Sequence, residues 1–293
     1  MNNKTPTILI TGANGQLGTA FKDIAATQSN YQFLFVSKEE LSIDDHAAVD
    51  NYFDKHHIGL CINCAAYTAV DKAETEKEKA FAVNATAVGY IAGACKKHNA
   101  TLIHISTDYV FDGTATAPYK ETDATCPVGV YGASKLKGEA LALQNNPDTI
   151  IIRSSWLYAQ HGHNFVKTML RLMKEKECIN VVNDQFGCPT YTSDLADVIM
   201  QIILKLPIAN CQLPLILNYA NVGITTWFGF AQAIKEFTGS SCIINPVPTS
   251  QYPTAAKRPQ YSVLDTSKIQ KIFHITIPNW KDSLQKCLEH LKV

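Results

Sequence analysis

Thr7-Ile8-Leu9-Ile10-Thr11-Gly12-Ala13-Asn14-Gly15-Gln16-Leu17-Gly18 is a short β-branched run that ends in glycines spaced G-x-x-G-x-x-G. Leu17, Ala20, Phe21 and Ile24 then recur at helical spacing over Gln16–Ala26. A helix entered through such a turn presents free backbone N–H groups and the positive end of its dipole. The glycines permit the tight turn and let backbone approach an anion closely. Strand, loop and helix together predict a βα unit built to receive a pyrophosphate.

The same alternation continues outward from this unit. Strands are expected at Gln32–Val36, Leu60–Cys64, Thr101–Ser106, Thr149–Arg153 and Leu215–Tyr219. Helices are expected at Asp45–His56, Glu74–His98, Tyr131–Gln144, Phe165–Lys174 and Ser193–Leu206. Strands apolar on both faces, alternating with helices, predict an α/β fold: a Rossmann-type, doubly wound parallel sheet. After about Asn221 the alternation fades. Short strands at Cys242–Val247 and Tyr261–Leu264, helices at Phe228–Phe237, Asp265–Phe273 and Trp280–Leu291, and a cluster of prolines predict a smaller α+β lobe. The expected division is 1–177 with 192–222 for a dinucleotide-binding domain, and 178–191 with 223–293 for a substrate-binding lobe.

Composition excludes several classes. The 26 basic and 26 acidic residues cancel, which argues against broad nucleic-acid or membrane binding. The start, with Met1–Thr5 as a short polar leader, lacks the apolar region of a secretory signal, and no stretch is long enough to span a membrane. Nine scattered cysteines, an odd count, read as reduced thiols of a cytoplasmic protein. Cys61-Ile62-Asn63-Cys64 is a C-x-x-C, but it lies in a predicted buried strand rather than opening a helix. His161-Gly162-His163 has no nearby cysteine or carboxylate to complete a metal site and reads as a polar loop.

Two further segments carry chemistry. An NAD site usually ends its second strand in Asp or Glu, to bind a ribose hydroxyl. Here that strand ends in Ser37-Lys38, which suits a 2′-phosphate and favours NADPH; Glu39 and Glu40 follow closely and leave NADH open. Tyr131-Gly132-Ala133-Ser134-Lys135 places Tyr131 and Lys135 on one helical face. A phenol near pKa ~10 is a poor acid–base group at neutral pH, and a neighbouring ammonium would lower it. About 25 residues upstream the strand Thr101–Ser106 runs into Thr107 and Asp108, at the strand end where open α/β sheets hold ligands.

These segments resemble the extended short-chain dehydrogenase/reductase superfamily. Cys64–Glu74, Ser106–Gly113, Pro118–Asp123, Arg153–Tyr158, Asn183–Thr190 and Arg258-Pro259 are similar, in order and over essentially the whole chain, to the dTDP-4-dehydrorhamnose reductase family. The resemblance implies reduction of the C4 keto group of dTDP-4-dehydro-β-L-rhamnose by NADPH or NADH. Tyr131 would be the proton donor, Lys135 would bind the nicotinamide ribose, and Thr107 would hydrogen-bond the keto oxygen. Gly12, Asn14, Gly15, Gln16, Leu17, Gly18, Ser37, Lys38, Ser42, Ile43, Cys64, Ala65 and Ala66 would bind the cofactor with Tyr131 and Lys135. Val70, Asp71, Thr107, Asp108, Trp156 and Arg258 would bind the sugar nucleotide, Arg258 at its diphosphate. Asp71 with Glu74 also reads as a helix capping box, and Asn84 fits an asparagine that supports the site.

Ser42 departs from the family, many of whose members carry Asp there. Some members dimerise around magnesium; this chain has no convincing carboxylate cluster for it, so magnesium is left open but unsupported and no metal ligand is assigned, and a monomer or homodimer is expected. Two other activities share these motifs. One is a regulatory subunit that binds methionine adenosyltransferase; intact Thr107, Tyr131 and Lys135 favour an enzyme over it. The other is a nucleotide-sugar epimerase or dehydratase; a 4,6-dehydratase typically carries Asp-Glu after the threonine, where this chain has Asp108-Tyr109.

Overall fold

The computed structural model describes residues 6–206 and 212–292; the polar leader Met1–Thr5 and Cys211 lie outside them. In chain order the elements are β1 (Thr7–Thr11), α1 (Gln16–Ala25), β2 (Gln32–Val36), α2 (His46–Lys55), β3 (Ile58–Asn63), α3 (Val70–Ala73), α4 (Lys77–Phe81), a π-helical turn (Ala82–Thr86), α5 (Ala87–Lys97) and β4 (Thr101–Thr107). Next come α6 (Val130–Asn145), β5 (Thr149–Ser154), β6 (Leu157–Tyr158), α7 (Phe165–Glu175), β7 (Cys178–Val182), β8 (Phe186–Gly187), β9 (Thr190–Tyr191) and α8 (Thr192–Lys205). The chain closes with β10 (Leu215–Tyr219), β11 (Thr225–Thr226), α9 (Trp227–Thr238), β12 (Ile243–Val247), α10 (Ser267–Phe273) and α11 (Trp280–Leu291).

Six strands form one parallel sheet in the order β10-β5-β4-β3-β1-β2. Alternate residues of each strand face opposite sides. Ile8 and Ile10 pack with Leu17, Phe21 and Leu195 beneath α1 and α8. Leu9 packs with Val49, Phe53, Val88 and Ile91 beneath α2 and α5. The expected doubly wound sheet is therefore present. The strand order reverses between β1 and β3, and such a switch point opens a crevice at the carboxyl ends of the strands.

A third core joins α7, β7, α9, β12 and α11, through Val166, Met169, Ile179, Phe230, Ile244, Trp280 and Leu284. Its membership differs from the division expected from the sequence. Helix α7 packs with this core, whereas Ile269 and Phe273 of α10 pack under the sheet. Apolar spacing alone does not say which of two cores an amphipathic helix joins.

Two expected elements are changed. The long helix expected over Glu74–His98 begins at Lys77 and runs continuously through α4, the π turn and α5. The π turn lies at Asn84, whose side chain is fully buried and bonded to backbone outside the helix. The strand expected at Tyr261–Leu264 is reduced to isolated bridges from Tyr261 to Phe186 and from Leu264 to Tyr119.

A buried ion pair ties α6 to the sheet. Glu139 accepts from Arg153 of β5 through both oxygens, at 2.9 and 2.7 Å, and from the Ser106 hydroxyl of β4. Removing one partner strands the other charge in the interior. Glu139→Ala is expected to cost about 3–5 kcal/mol of stability, read from urea unfolding; a loss below about 1 kcal/mol would mean that water or another cation compensates Arg153.

Candidate active site

Four segments meet at the switch point. The glycine turn after β1, the Ser37–Asp44 loop after β2, Cys64-Ala65-Ala66 after β3, and the face of α6 bearing Tyr131 and Lys135 line one groove of about 550 Å³. Gly12 has φ +65°, and a Cβ there would stand 2.7 Å from the backbone of Ala65. The first turn of α1 has no side-chain cap, so its N–H groups remain available at the groove. A dinucleotide fits this cradle: bare backbone and a helix start for its phosphates, and room within the usual range for a small-molecule site.

Most of the expected cofactor residues line the groove: Gly12, Asn14, Gly15, Gln16, Leu17, Ser37, Lys38, Ile43, Cys64, Ala65, Ala66, Tyr131 and Lys135. Gly18 and Ser42 do not. A side chain on Gly18 would overlap Gly12 and Ala13, so this glycine serves the packing of α1 on the turn. The Ser42 hydroxyl bonds Asp44, and Asp44 lines the groove in its place. Glu40, one of the two acids that left NADH open, accepts the Ser37 backbone N–H at 2.8 Å, while Glu39 lines the groove beside Lys38.

Tyr131 and Lys135 sit one turn apart on α6. Lys135 is 2% exposed and donates to the Ile105 carbonyl at 2.7 Å. Burial pulls its pKa down to about 8, while Glu139 and Cys64 push it up. The Tyr131 phenol is raised, not lowered as the ammonium led us to expect. Burial dominates, the Thr107 hydroxyl opposes it, and Asp108 and Tyr109 add to it. A raised phenol is held in its protonated form, which suits a donor. Asn84 braces the pair from behind: it accepts from Tyr67 N at 2.8 Å and donates to Tyr67 O and to the Ser134 hydroxyl, each at 3.0 Å.

Thr107 and Asp108 lie buried at the end of β4, as expected. Thr107 Oγ1 donates to Asp108 Oδ1 at 2.9 Å, and Asp108 Oδ2 is buried without a partner. Desolvation raises the Asp108 pKa to about 6, against the pull of Ser262 and Thr107.

A second cavity of about 360 Å³ lies between the two halves, lined by Asp71, Tyr109 and Arg258 on one side and Phe165, Met169, Asn180, Gln185 and Trp227 on the other. Arg258 Nη2 is paired with Asp71 at 2.6 Å, and Nη1 donates to the Tyr109 hydroxyl at 3.1 Å. The Tyr109 ring meets Tyr131 edge-on, 5.5 Å between centroids, and so joins the cavity to the groove. Val70, Thr107, Asp108 and Trp156 line neither space; Thr107 and Asp108 are buried behind Tyr131. Trp156, at φ +48°, stacks on Trp227 at 3.6 Å behind the cavity wall. The capping box does not form. Asp71 also accepts from Ala256 N, Glu74 accepts from Val130 N, and α3 has no side-chain cap.

Sequence reasoning missed Tyr109, Trp227 and the Gly162-His163 stretch, which lines the groove. The His161-Gly162-His163 stretch was read as a polar loop without a role at the groove; that loop is tied to α1 by His161 to Asp23 at 2.8 Å and Asn164 to Gln16 at 3.0 Å. Among the described residues, no three His, Cys, Asp or Glu gather as a metal site would require, and no helix is long and apolar enough to cross a membrane.

The family model described as RmlD substrate binding domain matches residues 6–293. The chain belongs to the dTDP-4-dehydrorhamnose reductase family. It is 41% identical to the dTDP-4-dehydrorhamnose reductase of Aggregatibacter actinomycetemcomitans, over 95% of this chain and 97% of that one. Two solved structures of such reductases cover 98% of this chain and 100% of their own: one from Clostridium acetobutylicum (37% identity, TM-score 0.92) and one from Bacillus anthracis in complex with NADP (35%, 0.93).

Asp108 makes the site sensitive to pH. A carboxyl raised above its unfolded value, about 3.9, opposes folding once it ionises. The penalty is complete above the folded pKa of about 6 and disappears as pH falls toward 4. Asp108→Asn is therefore expected to raise the melting temperature at pH 7.5 and to leave it nearly unchanged at pH 4.5. Equal effects at the two values would show that Asp108 is not held in a raised state.

Proposed function

We propose that this chain reduces the C4 ketone of dTDP-4-dehydro-β-L-rhamnose to give dTDP-L-rhamnose, with NADPH preferred over NADH. The observation that carries the reading is the position of Tyr131 and Lys135, on the wall of the dinucleotide groove and one aromatic contact from the second cavity. Family membership supports the substrate, and the NADP complex of the Bacillus anthracis relative supports the cofactor.

Bound in the groove, the reduced nicotinamide supplies a hydride. The glycine turn and the start of α1 hold its phosphates, and Lys38 answers a 2′-phosphate. Lys135 binds the ribose nearest the nicotinamide and keeps positive charge close to the reacting oxygen. The Thr107 hydroxyl turns from Asp108 to donate its one hydrogen to the C4 oxygen. Tyr131 gives its phenolic proton to that oxygen as negative charge develops on it. Asp108 contacts a sugar hydroxyl once ligand binding opens the wall that buries its unpartnered oxygen. Asp71 and Arg258 face the rest of the nucleotide, with Arg258 turning its fork from Asp71 to the diphosphate. Trp156 shapes the pocket through Trp227, which it backs, and Val70 acts through Asp71, its neighbour in α3. We take the sheet half as the cofactor domain and the third core, α7 included, as the sugar-nucleotide lobe. We place the enzyme in the cytoplasm, as a monomer or homodimer without a required metal.

The test follows loss of reduced nicotinamide absorbance with enzymatically made dTDP-4-dehydro-β-L-rhamnose. Tyr131→Phe is expected to lower kcat by about 10²–10⁴-fold while NADPH affinity stays within about threefold. Normal turnover in that variant, or no turnover by the native chain with either cofactor, contradicts the assignment. Lys38→Ala is expected to weaken NADPH by about tenfold, the order of one charge-assisted bond, and NADH hardly at all. Equal losses would remove the 2′-phosphate contact.

A further inference from the structure

A line of polar side chains crosses the sheet directly beneath the groove. Thr11, Asn63 and His104 are register partners on β1, β3 and β4, and all three are buried. The Thr11 hydroxyl lies 2.6 Å from Asn63 Oδ1, the Asn63 amide lies 3.1 Å from His104 Nδ1, and His104 Nε2 lies 3.4 Å from Lys135 Nζ. Their neighbours along the strands are Ile10, Ile62, Ile103 and Ile105, so the row is not needed to fill the sheet. Buried polar groups are costly unless each is bonded, and this row ends on a residue of the candidate acid–base pair.

We propose that His104 is a positioning residue for Lys135: a neutral imidazole whose Nε2 lone pair accepts from the lysine ammonium and holds it beneath Tyr131. The proposal rests on the reading of Tyr131 and Lys135 given above. An ammonium has only N–H groups to offer, so Nε2 is the unprotonated nitrogen and Nδ1 carries the hydrogen. Nδ1–H then donates to the carboxamide oxygen of Asn63, whose amide turns to the Thr11 hydroxyl. That hydroxyl can donate or accept, so either orientation of the carboxamide closes the row, and the charge on Lys135 selects this one. Burial first, and Lys135 second, push the His104 pKa well down, so the ring is uncharged. Two N–H bonds of Lys135 are thereby spent on Ile105 O and on Nε2, and the third is left for the groove. The charged or titratable groups facing Lys135 are Glu139 and Tyr131 on its own helix, Cys64 after β3, and His104. His104 adds an acceptor without adding negative charge, and it leaves the Tyr131 phenol oxygen unengaged by the ammonium.

Nitrogen-15 NMR of histidine-labelled protein reads the tautomer. The His104 signals are identified by their absence in His104→Gln. An unprotonated Nε2 and a protonated Nδ1 are expected at about pH 7; a protonated Nε2 overturns the proposal, whatever the substrate of the enzyme. The second readout is the basic limb of kcat/KM against pH. In His104→Leu the ammonium loses an acceptor, and the limb is expected to move down by about one pH unit. His104→Gln, which keeps an acceptor oxygen, is expected to recover most of that shift. An unmoved limb in a folded His104→Leu variant overturns the proposal. Lack of turnover by the native chain would instead count against the reading of its function and would leave the tautomer result standing.

Discussion

Helix α6 lies as close to its neighbours as backbone allows, and the site depends on that approach. Gly132 and Gly138 are the points of contact. A Cβ on Gly132 would overlap the Tyr109 carbonyl, and one on Gly138 would overlap the Asn84 carbonyl. Between these two glycines stand Ser134, bonded to Asn84, and Lys135, bonded to the Ile105 carbonyl. One turn further, Glu139 closes the buried ion pair with Arg153. Spaced every three or four residues, these contacts fix the rotation of α6 as well as its distance. Tyr131 and Lys135 then have one direction in which to point.

The site is consequently built in two electrostatic layers. The outer layer, at the groove, is bare backbone, a helix start and Lys38, arranged for an anionic ligand. The inner layer is dry. Desolvation raises the Tyr131 phenol and the Asp108 carboxyl and pulls the Lys135 ammonium down, so each is displaced toward its uncharged form. Groups held this way exchange protons at low cost in charge separation, and their balance responds to a ligand that brings or removes charge. The Arg258–Asp71 pair on the cavity side is partly exposed, a contact that an anionic ligand can compete for without unfolding anything.

Much of this was legible in the chain. The run Thr7–Gly18 carried the first βα unit, and the limits of β1, β2 and β10 agree with the apolar stretches that predicted them. Tyr131 and Lys135 were legible because helical spacing alone puts them on one face. What was not legible depended on contacts between distant residues. The π turn at Asn84 follows from Tyr67 and Gly138, neither of which a helical pattern registers. Asp71 and Glu74 have the spacing of a capping box, yet Ala256, Arg258 and Val130 compete for both carboxylates from elsewhere in the chain and win. Lys135 was expected to govern the Tyr131 phenol; burial, which spacing does not report, governs it instead. The placement of α7 and α10 failed for the same reason: an apolar stripe needs a partner but does not name one.

In the proposed reaction a hydride passes within the groove to C4 of the sugar while α6 supplies the proton. Reduced cofactor carrying deuterium at both C4 positions of the nicotinamide, with NMR of the nucleotide-sugar product, follows that hydride directly. The account predicts deuterium at C4 of the product sugar, and none at its other carbons. A product without deuterium, or with deuterium at another carbon, would contradict it.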